Sequence, residues 1–253
     1  MRFCDNVCSE TFITNKQYKM EILMSTKYSF QDIIEGIGGA ALMGVHMMLF
    51  PFLRGYRARW GVTGEEARAS LPGDELVPNP KISMTWGITI NAPVEAVWPW
   101  VVQIGQGRGG FYSYQFLENI TGAEIYNADR ILSEHQELPL ETGISLALGM
   151  PPLPIAQHED GRFYFLHGIM DTKTMDGFGS MPDTHAYPEK YMNVGWGFYV
   201  HKAGENQTRF LSRWLADYDP ALTNKIAYNL FLEPIGFVMG RKMLLGAKQR
   251  AEQ

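Results

Sequence analysis

Apolar and polar positions alternate most cleanly over residues 81–90. Ile82, Met84, Trp86, Ile88 and Ile90 fall on one face, which predicts a strand with one side against a core. Asn91-Ala92-Pro93 then stops the strand and starts a helix. Pro93 suits an early helical position, and Glu95 suits the positive end of the helix dipole. Val94, Val97, Trp98 and Val101 form the apolar stripe of that helix, and Pro99 inside it predicts a bend. A glycine-rich turn over 105–110 leads to a second short helix over 113–120, with Ser113 as its cap. From residue 144 the pattern is that of strands. Runs over 153–158 and 162–167 flank Asp160-Gly161, a strong hairpin signal. Runs over 194–202 and 208–216 flank a longer turn, Ala203-Gly204-Glu205-Asn206-Gln207. Between the two hairpins, residues 171–192 are rich in Gly, Pro, Asp and Met and have the length of a functional loop. The chain ends in helices. One candidate covers 221–232; a second starts at Pro234 and runs to about residue 249. On it Ile235, Met239 and Met243 recur every four residues, and Lys and Arg gather towards its end.

The first thirty residues show no clear period. Residues 33–53 contain one Glu and one His among 21 positions, and are long enough as a helix to cross a bilayer. Gly36, Ala40 and Gly44 form a small-residue stripe along that helix. Arg54, Arg57 and Arg59 follow, so the positive-inside rule places the rest of the chain on the cytoplasmic side. Against a span stand Glu35, His46, four glycines and Pro51. The alternatives are a helix packed on the domain or one lying along a membrane surface. The expected organisation is an extension over 1–57, with a membrane-contacting helix at 33–53, and a folded domain over 58–253. Within it 71–80, with three prolines, reads as an extended linker. The expected location is the cytoplasm, with the inner face of the membrane as the alternative.

Composition narrows the classes. Apolar residues make up 45% and charged residues 19% of the 253, as in ordinary globular chains. A formal net charge of -5 and the lack of a basic run longer than Arg54-Arg57-Arg59 argue against a nucleic-acid partner. The only cysteines are Cys4 and Cys8, too few for a disulfide framework or a structural zinc site, and no metal or cofactor is expected. There is no zinc-protease, nucleophile-elbow, Walker or Cys-x-x-Cys motif. The glycines at 105–110 follow a helix rather than a strand, so they read as a tight connection and not as a dinucleotide fingerprint.

The order of elements is strand, two short helices, antiparallel strands, then a long terminal helix. Together with Ile90-Asn91-Ala92-Pro93-Val94-Glu95-Ala96-Val97-Trp98, it resembles the START-like (SRPBCC, polyketide cyclase/lipid transport) superfamily. The segments 105–114, Asn127-Ala128-Asp129-Arg130-Ile131, Arg59-Trp60-Gly61-Val62-Thr63, 71–76 and Glu233-Pro234 are similar to a bacterial subgroup of it. The resemblance spans about residues 58–250. It implies an α+β helix-grip fold, in which a curved antiparallel sheet wraps around the C-terminal helix and encloses a cavity for an apolar ligand. Lipids, sterols and polyketides are the implied classes. Some members are cyclases or aromatases, and others only carry or sense a ligand.

Seven residues are candidates for function, each with a plainer reading beside it. Arg108 reaches an anionic group at the cavity mouth, or is solvated. Tyr112 and Tyr114 anchor a ligand oxygen, or pack. Glu118, four residues after Tyr114, is an inward general acid or base, or a surface charge. His167 shares a face with Phe163 and Phe165 and is a proton-transfer candidate, or a core histidine. Trp196, alternating with Val194 and Phe198, is a wall residue. Arg213, on the face of Leu211 and Leu215, pairs with a ligand carboxylate or with Glu118, or meets solvent. The leading expectation is a binder or carrier of a hydrophobic small molecule. The alternative is a cyclase or aromatase in which Glu118, His167 and Arg213 converge.

Overall fold

Alternating side chains give strands that must bury at least one face, and the computed structural model, which describes residues 28–120, 122–174 and 189–253, shows how they do so. Five strands form one antiparallel sheet: β1 (Ile82–Ile90), β2 (Ile155–Glu159), β3 (Phe163–Asp171), β4 (Tyr191–Gly204) and β5 (Gln207–Tyr218), in spatial order β1-β5-β4-β3-β2. The first strand thus joins the meander of the other four through β5, with Ile82 opposite Ala216 and Ile90 opposite Thr208. The β2–β3 turn falls at Asp160-Gly161 as its sequence predicts, and Asp160 Oδ1 accepts a 2.9 Å hydrogen bond from Trp98 Nε1. The β4–β5 turn is tighter than expected. The strands continue to Gly204 and from Gln207, leaving Glu205-Asn206 between them, because a register shift after Lys202 absorbs the extra residue.

The helices are α1 (Phe30–Met48), α2 (Arg54–Ala58), α3 (Gly64–Arg68), α4 (Val94–Val102), α5 (Gln115–Ile120), α6 (Leu222–Ala227) and α7 (Glu233–Ala251). A π-turn over Tyr228–Leu232 joins α6 to α7, so the two terminal helices expected from the sequence run on almost without a break. α7 lies across the concave face of the sheet, and the result is a curved-sheet helix-grip α+β fold. Close approach depends on glycine. A Cβ at Gly240 would stand 2.1 Å from the Trp86 ring, and one at Gly246 2.3 Å from Tyr112 O. The main core fills the space between: Ile90, Val97, Val101, Tyr164, Leu166, Phe198, Phe210, Phe237 and Leu244 are fully buried there.

The convex face is covered as well. The segment from Val62 to Val77 straps across it, and Val77, Phe165, Tyr199, Leu211 and Leu215 form a second, smaller core beneath the strap. Gly73, at φ +96°, turns the strap directly over the Phe165 ring. The stretch expected to be a linker is therefore a packed cover.

α1 is a helix of 19 residues with a Ser29–Asp32 capping box, and it packs along α7 and α5. Among the described residues no helix is long and apolar enough to cross a membrane. Of the expected small-residue stripe, Gly36 is buried against Phe116 and Ala40 is exposed. Gly39, not Gly44, makes the second close approach, to the ring of Tyr114. Most of the first thirty residues, up to 27, and the centre of the 171–192 loop, from 175 to 188, lie outside the described residues.

Candidate functional site

Between α7 and the concave face lies a cavity of about 430 Å³, within the ~300–1,000 Å³ range of small-molecule sites. The sheet supplies Ile82, Met84 and Trp86 from β1, Met192, Val194 and Trp196 from β4, and Trp214 and Ala216 from β5. The helix supplies Ile235, Gly236, Met239, Gly240 and Met243. Phe111, Glu118, Ile125, Leu146 and Met150 close the side, and Tyr228 and Leu232 the end. The wall is overwhelmingly carbon and sulfur, and five methionines give it surfaces that adapt to irregular shapes. Leu232 and Met150 line the cavity and are also exposed, so the cavity reaches the surface beside them.

The polar groups in the wall are few. Trp196 Nε1 donates to Ser212 Oγ at 3.0 Å, and Phe111 stacks on the Trp196 ring at 5.8 Å. Ser113 Oγ donates to Met239 O at 3.2 Å. Tyr228 Oη lies 3.0 Å from Met192 Sδ, a weak acceptor that leaves the phenol able to serve a ligand oxygen. Two carboxyls complete the wall. Glu118 has its Oε2 shielded from solvent, and burial pushes its pKa up to about 8. Glu233 is paired with two arginines. Its Oε1 accepts from Arg57 Nε at 3.1 Å and Nη2 at 2.9 Å, and Arg54 Nε stands 3.2 Å from Oε2. Both Arg57 and Glu233 are buried.

The seven sequence candidates separate. Trp196 and Glu118 are in the wall. The other five lie elsewhere. Arg108 bridges the end of α4 and the 135–137 segment, where Nη2 donates to the carbonyls of Val102, His135 and Glu137 at 3.2, 2.9 and 3.1 Å. Tyr112 is buried behind the cavity, its hydroxyl donating to Trp100 O at 2.9 Å and its ring beneath the Arg250 guanidinium. Asn127 fixes that segment, accepting from Tyr112 N at 2.6 Å and donating to Ser113 O at 3.1 Å. Tyr114 opens α5, its carbonyl accepting from Glu118 N at 3.0 Å, and it is not in the chamber wall. Its ring packs on Gly39 of α1, under the Lys242 ammonium.

His167 and Arg213 are on the convex side of the sheet. His167 Nε2 is 2.9 Å from Asn193 Oδ1, and burial lowers its pKa. Arg213 staples the strap: Nε donates to Thr85 Oγ1 at 3.0 Å, Nη1 to Ala69 O at 2.8 Å, and the guanidinium pairs with Asp74. Each shares a face with the neighbours its alternation predicts, but the strap buries that side of the sheet. Glu118, His167 and Arg213 therefore do not converge. Sequence reasoning passes over Trp214, Met192 and Glu233. Trp214 is legible as the alternation partner of Phe210, Ser212 and Ala216. For Glu233 the only signal is an acid beside Pro234 at a helix start.

The fold and the cavity define a class, a helix-grip α+β protein with an internal apolar chamber. No family model matches the sequence, and no curated protein does. Similar solved structures include a conserved protein of Geobacillus kaustophilus, 8% identical, covering 67% of this chain and 95% of that one at a TM-score of 0.35. A protein of Thermus thermophilus is 11% identical, covering 67% of this chain and 96% of that one at 0.28. The Zhui aromatase/cyclase of a Streptomyces species is 9% identical, covering 67% of this chain and 93% of that one at 0.30. At such identities the chamber itself has to carry the functional reading.

Proposed function

We propose that this protein binds a hydrophobic small molecule in the chamber between α7 and the sheet. The observation that carries the reading is the chamber's size and lining: about 430 Å³ walled by Trp, Met, Phe, Ile and Leu side chains. A dry apolar space of that size left by a close-packed interior is costly, because its lining atoms lose contacts. A ligand of matching volume restores them. The START-like resemblance in the sequence agrees with this use, and lipids, sterols and polyketide-like molecules are the classes it suggests.

One observation favours a second reading. With its pKa near 8, Glu118 can give or take a proton near neutral pH inside an apolar space. A cyclase- or aromatase-type enzyme would use it on a chain held in the chamber. Such chemistry would draw on Glu118 and Tyr228 and not on His167 or Arg213.

Gly236 offers the test. It lines the chamber, and a Cβ there would meet no atom within 4 Å. Gly236→Leu starts from a Cβ that meets no neighbour, adds bulk at the chamber wall and removes a helical glycine. Wild-type protein should retain a co-purifying apolar molecule, or bind an apolar fluorescent probe, near one to one by native mass spectrometry. Gly236→Leu should lose that binding at least tenfold and unfold at the same or a higher temperature. Equal binding by both proteins would sink the reading. Turnover that Glu118→Gln abolishes while binding persists would select the enzymatic form.

A further inference from the structure

The outward face of α1 is apolar over its whole length. Phe30 is 78% exposed, Ile37 61%, Met48 85% and Phe52, just beyond the helix, 87%, with Ile34 and Val45 between them. From 34 to 53 every exposed residue on this segment is apolar or glycine. At ~1.5 Å per residue the stripe is roughly 30 Å long, a contiguous apolar surface of the kind that marks an interaction site. The inner face of the same helix is fully used. Glu35 pairs with Lys242 at 2.7 Å, Gly36 and Gly39 seat it on Phe116 and Tyr114, and His46 packs on Phe237 at 4.9 Å.

A second exposed apolar group, Leu222, Ile226, Phe231 and Leu232, lies on the segment that leads into α7, and its last member, Leu232, is in the chamber wall. The ion pair of Arg54 with Glu233 brings the end of the α1 segment to the residue that follows Leu232, so the two groups meet at one corner. Charge follows the same pattern. In a chain of net charge -5, residues 36–64 carry three arginines, of which Arg57 is buried, and no acid, the acids of α1 being Asp32 and Glu35 at its other end, and residues 220–232 carry one lysine and no acid. Arg54, Arg59 and Lys225 are exposed.

We propose that this face docks on the surface of an anionic phospholipid bilayer, with α1 lying along the interface and the chamber's opening facing the lipid. An apolar helix face with exposed cations at one end is what an interface between acyl chains and anionic headgroups takes up. A two-fold contact with a second copy would bring the same cations towards each other. Docking here would let an apolar ligand pass between bilayer and chamber without crossing water.

The experiment is co-sedimentation of the full chain with sucrose-loaded vesicles. Vesicles of phosphatidylcholine alone are compared with vesicles containing phosphatidylglycerol as well, at low and high salt. The expected result is binding to the anionic vesicles that weakens in high salt. The triple variant Ile37→Ser, Met48→Ser, Phe52→Ser should lose at least about tenfold in partition, since the three side chains supply the burial that holds the helix at the interface. Its thermal unfolding and apolar-probe binding should match the wild type, because none of the three lines the chamber. Wild-type protein that stays in the supernatant overturns the proposal. So does a wild-type dimer that the triple variant dissociates, which would make the face a self-interface. Failure of the wild type to bind the apolar probe would refute the ligand-binding reading instead, and vesicle partition is read separately from it.

Discussion

Glu118 shows how environment rather than identity sets a side chain's chemistry. Its carboxyl is held near 8, against about 4.5 for an ordinary glutamate, because burial penalises the charged form. The folded state then keeps a proton that the unfolded chain gives up once pH passes about 4.5. The stability tied to this proton is complete below that pH, declines as pH rises, and is gone above about 8. Glu118→Gln should remove the slope. Urea unfolding in mildly acidic and mildly alkaline buffer should show the variant gaining roughly 1–3 kcal/mol on the wild type between the two. Parallel pH curves would mean that Glu118 ionises normally. The Tyr114–Glu118 spacing points to one shared face. In the fold Glu118 lines the chamber while the Tyr114 ring packs on Gly39 of α1, a contact set by where α1 lies and not by the four-residue spacing.

α1 shows the same limit for a helix. Its length and apolar content are plain in the sequence, and so is the prominence of its small residues. Which of its glycines make contact depends on where α5 lies. A Cβ at Gly36 would stand 2.6 Å from Phe116 Cδ1, whereas Gly38 meets nothing within 4 Å. Gly36→Leu should therefore push α1 off α5 and cost about 1–3 kcal/mol. Limited proteolysis should then cut near residues 28–53 faster than in wild type. Gly38→Ala should do the opposite, stabilising by about 0.5–1 kcal/mol through the unfolded chain. If both variants melt alike, α1 is not seated as described. The strands repeat the lesson. Alternation sorts β3 and β5 into two faces correctly, yet both faces are buried, so His167 and Arg213 read as chamber candidates when they belong to the strap side.

Across the fold, the N-terminal segment and the chamber are linked by one buried ion pair. Arg57, the last residue before the expected domain boundary, is fully buried against Glu233 in the chamber wall. Its carbonyl accepts from Trp86 Nε1 at 2.7 Å. Removing one partner of such a pair leaves a buried charge uncompensated. Arg57→Met should destabilise by about 3 kcal/mol, towards the low end of the usual range because Arg54 remains beside Glu233. Adding Glu233→Gln should restore most of the loss. Denaturant midpoints of the two variants decide this, and a single-variant cost below about 1 kcal/mol would mean the pair contributes little.

Local patterns were enough for the fold class. The alternating 82–90 face, the Asp160-Gly161 turn, the Ala-Pro helix start and the four-residue spacing of Ile235, Met239 and Met243 each encode a contact whose partner is a neighbour in sequence or a generic core. They led to the elements and their order and to Trp196 on the face of Val194 and Phe198, while the curved sheet gripping a terminal helix came from the START-like resemblance that this order carries. Only the folded chain decided which groups share the chamber. Glu118, Trp214 and Glu233 come from three elements far apart in sequence. Their meeting depends on sheet curvature, on a strap that occupies the opposite face, and on glycines that set how closely α7 descends. Those are long-range packing outcomes, and no local period carries them.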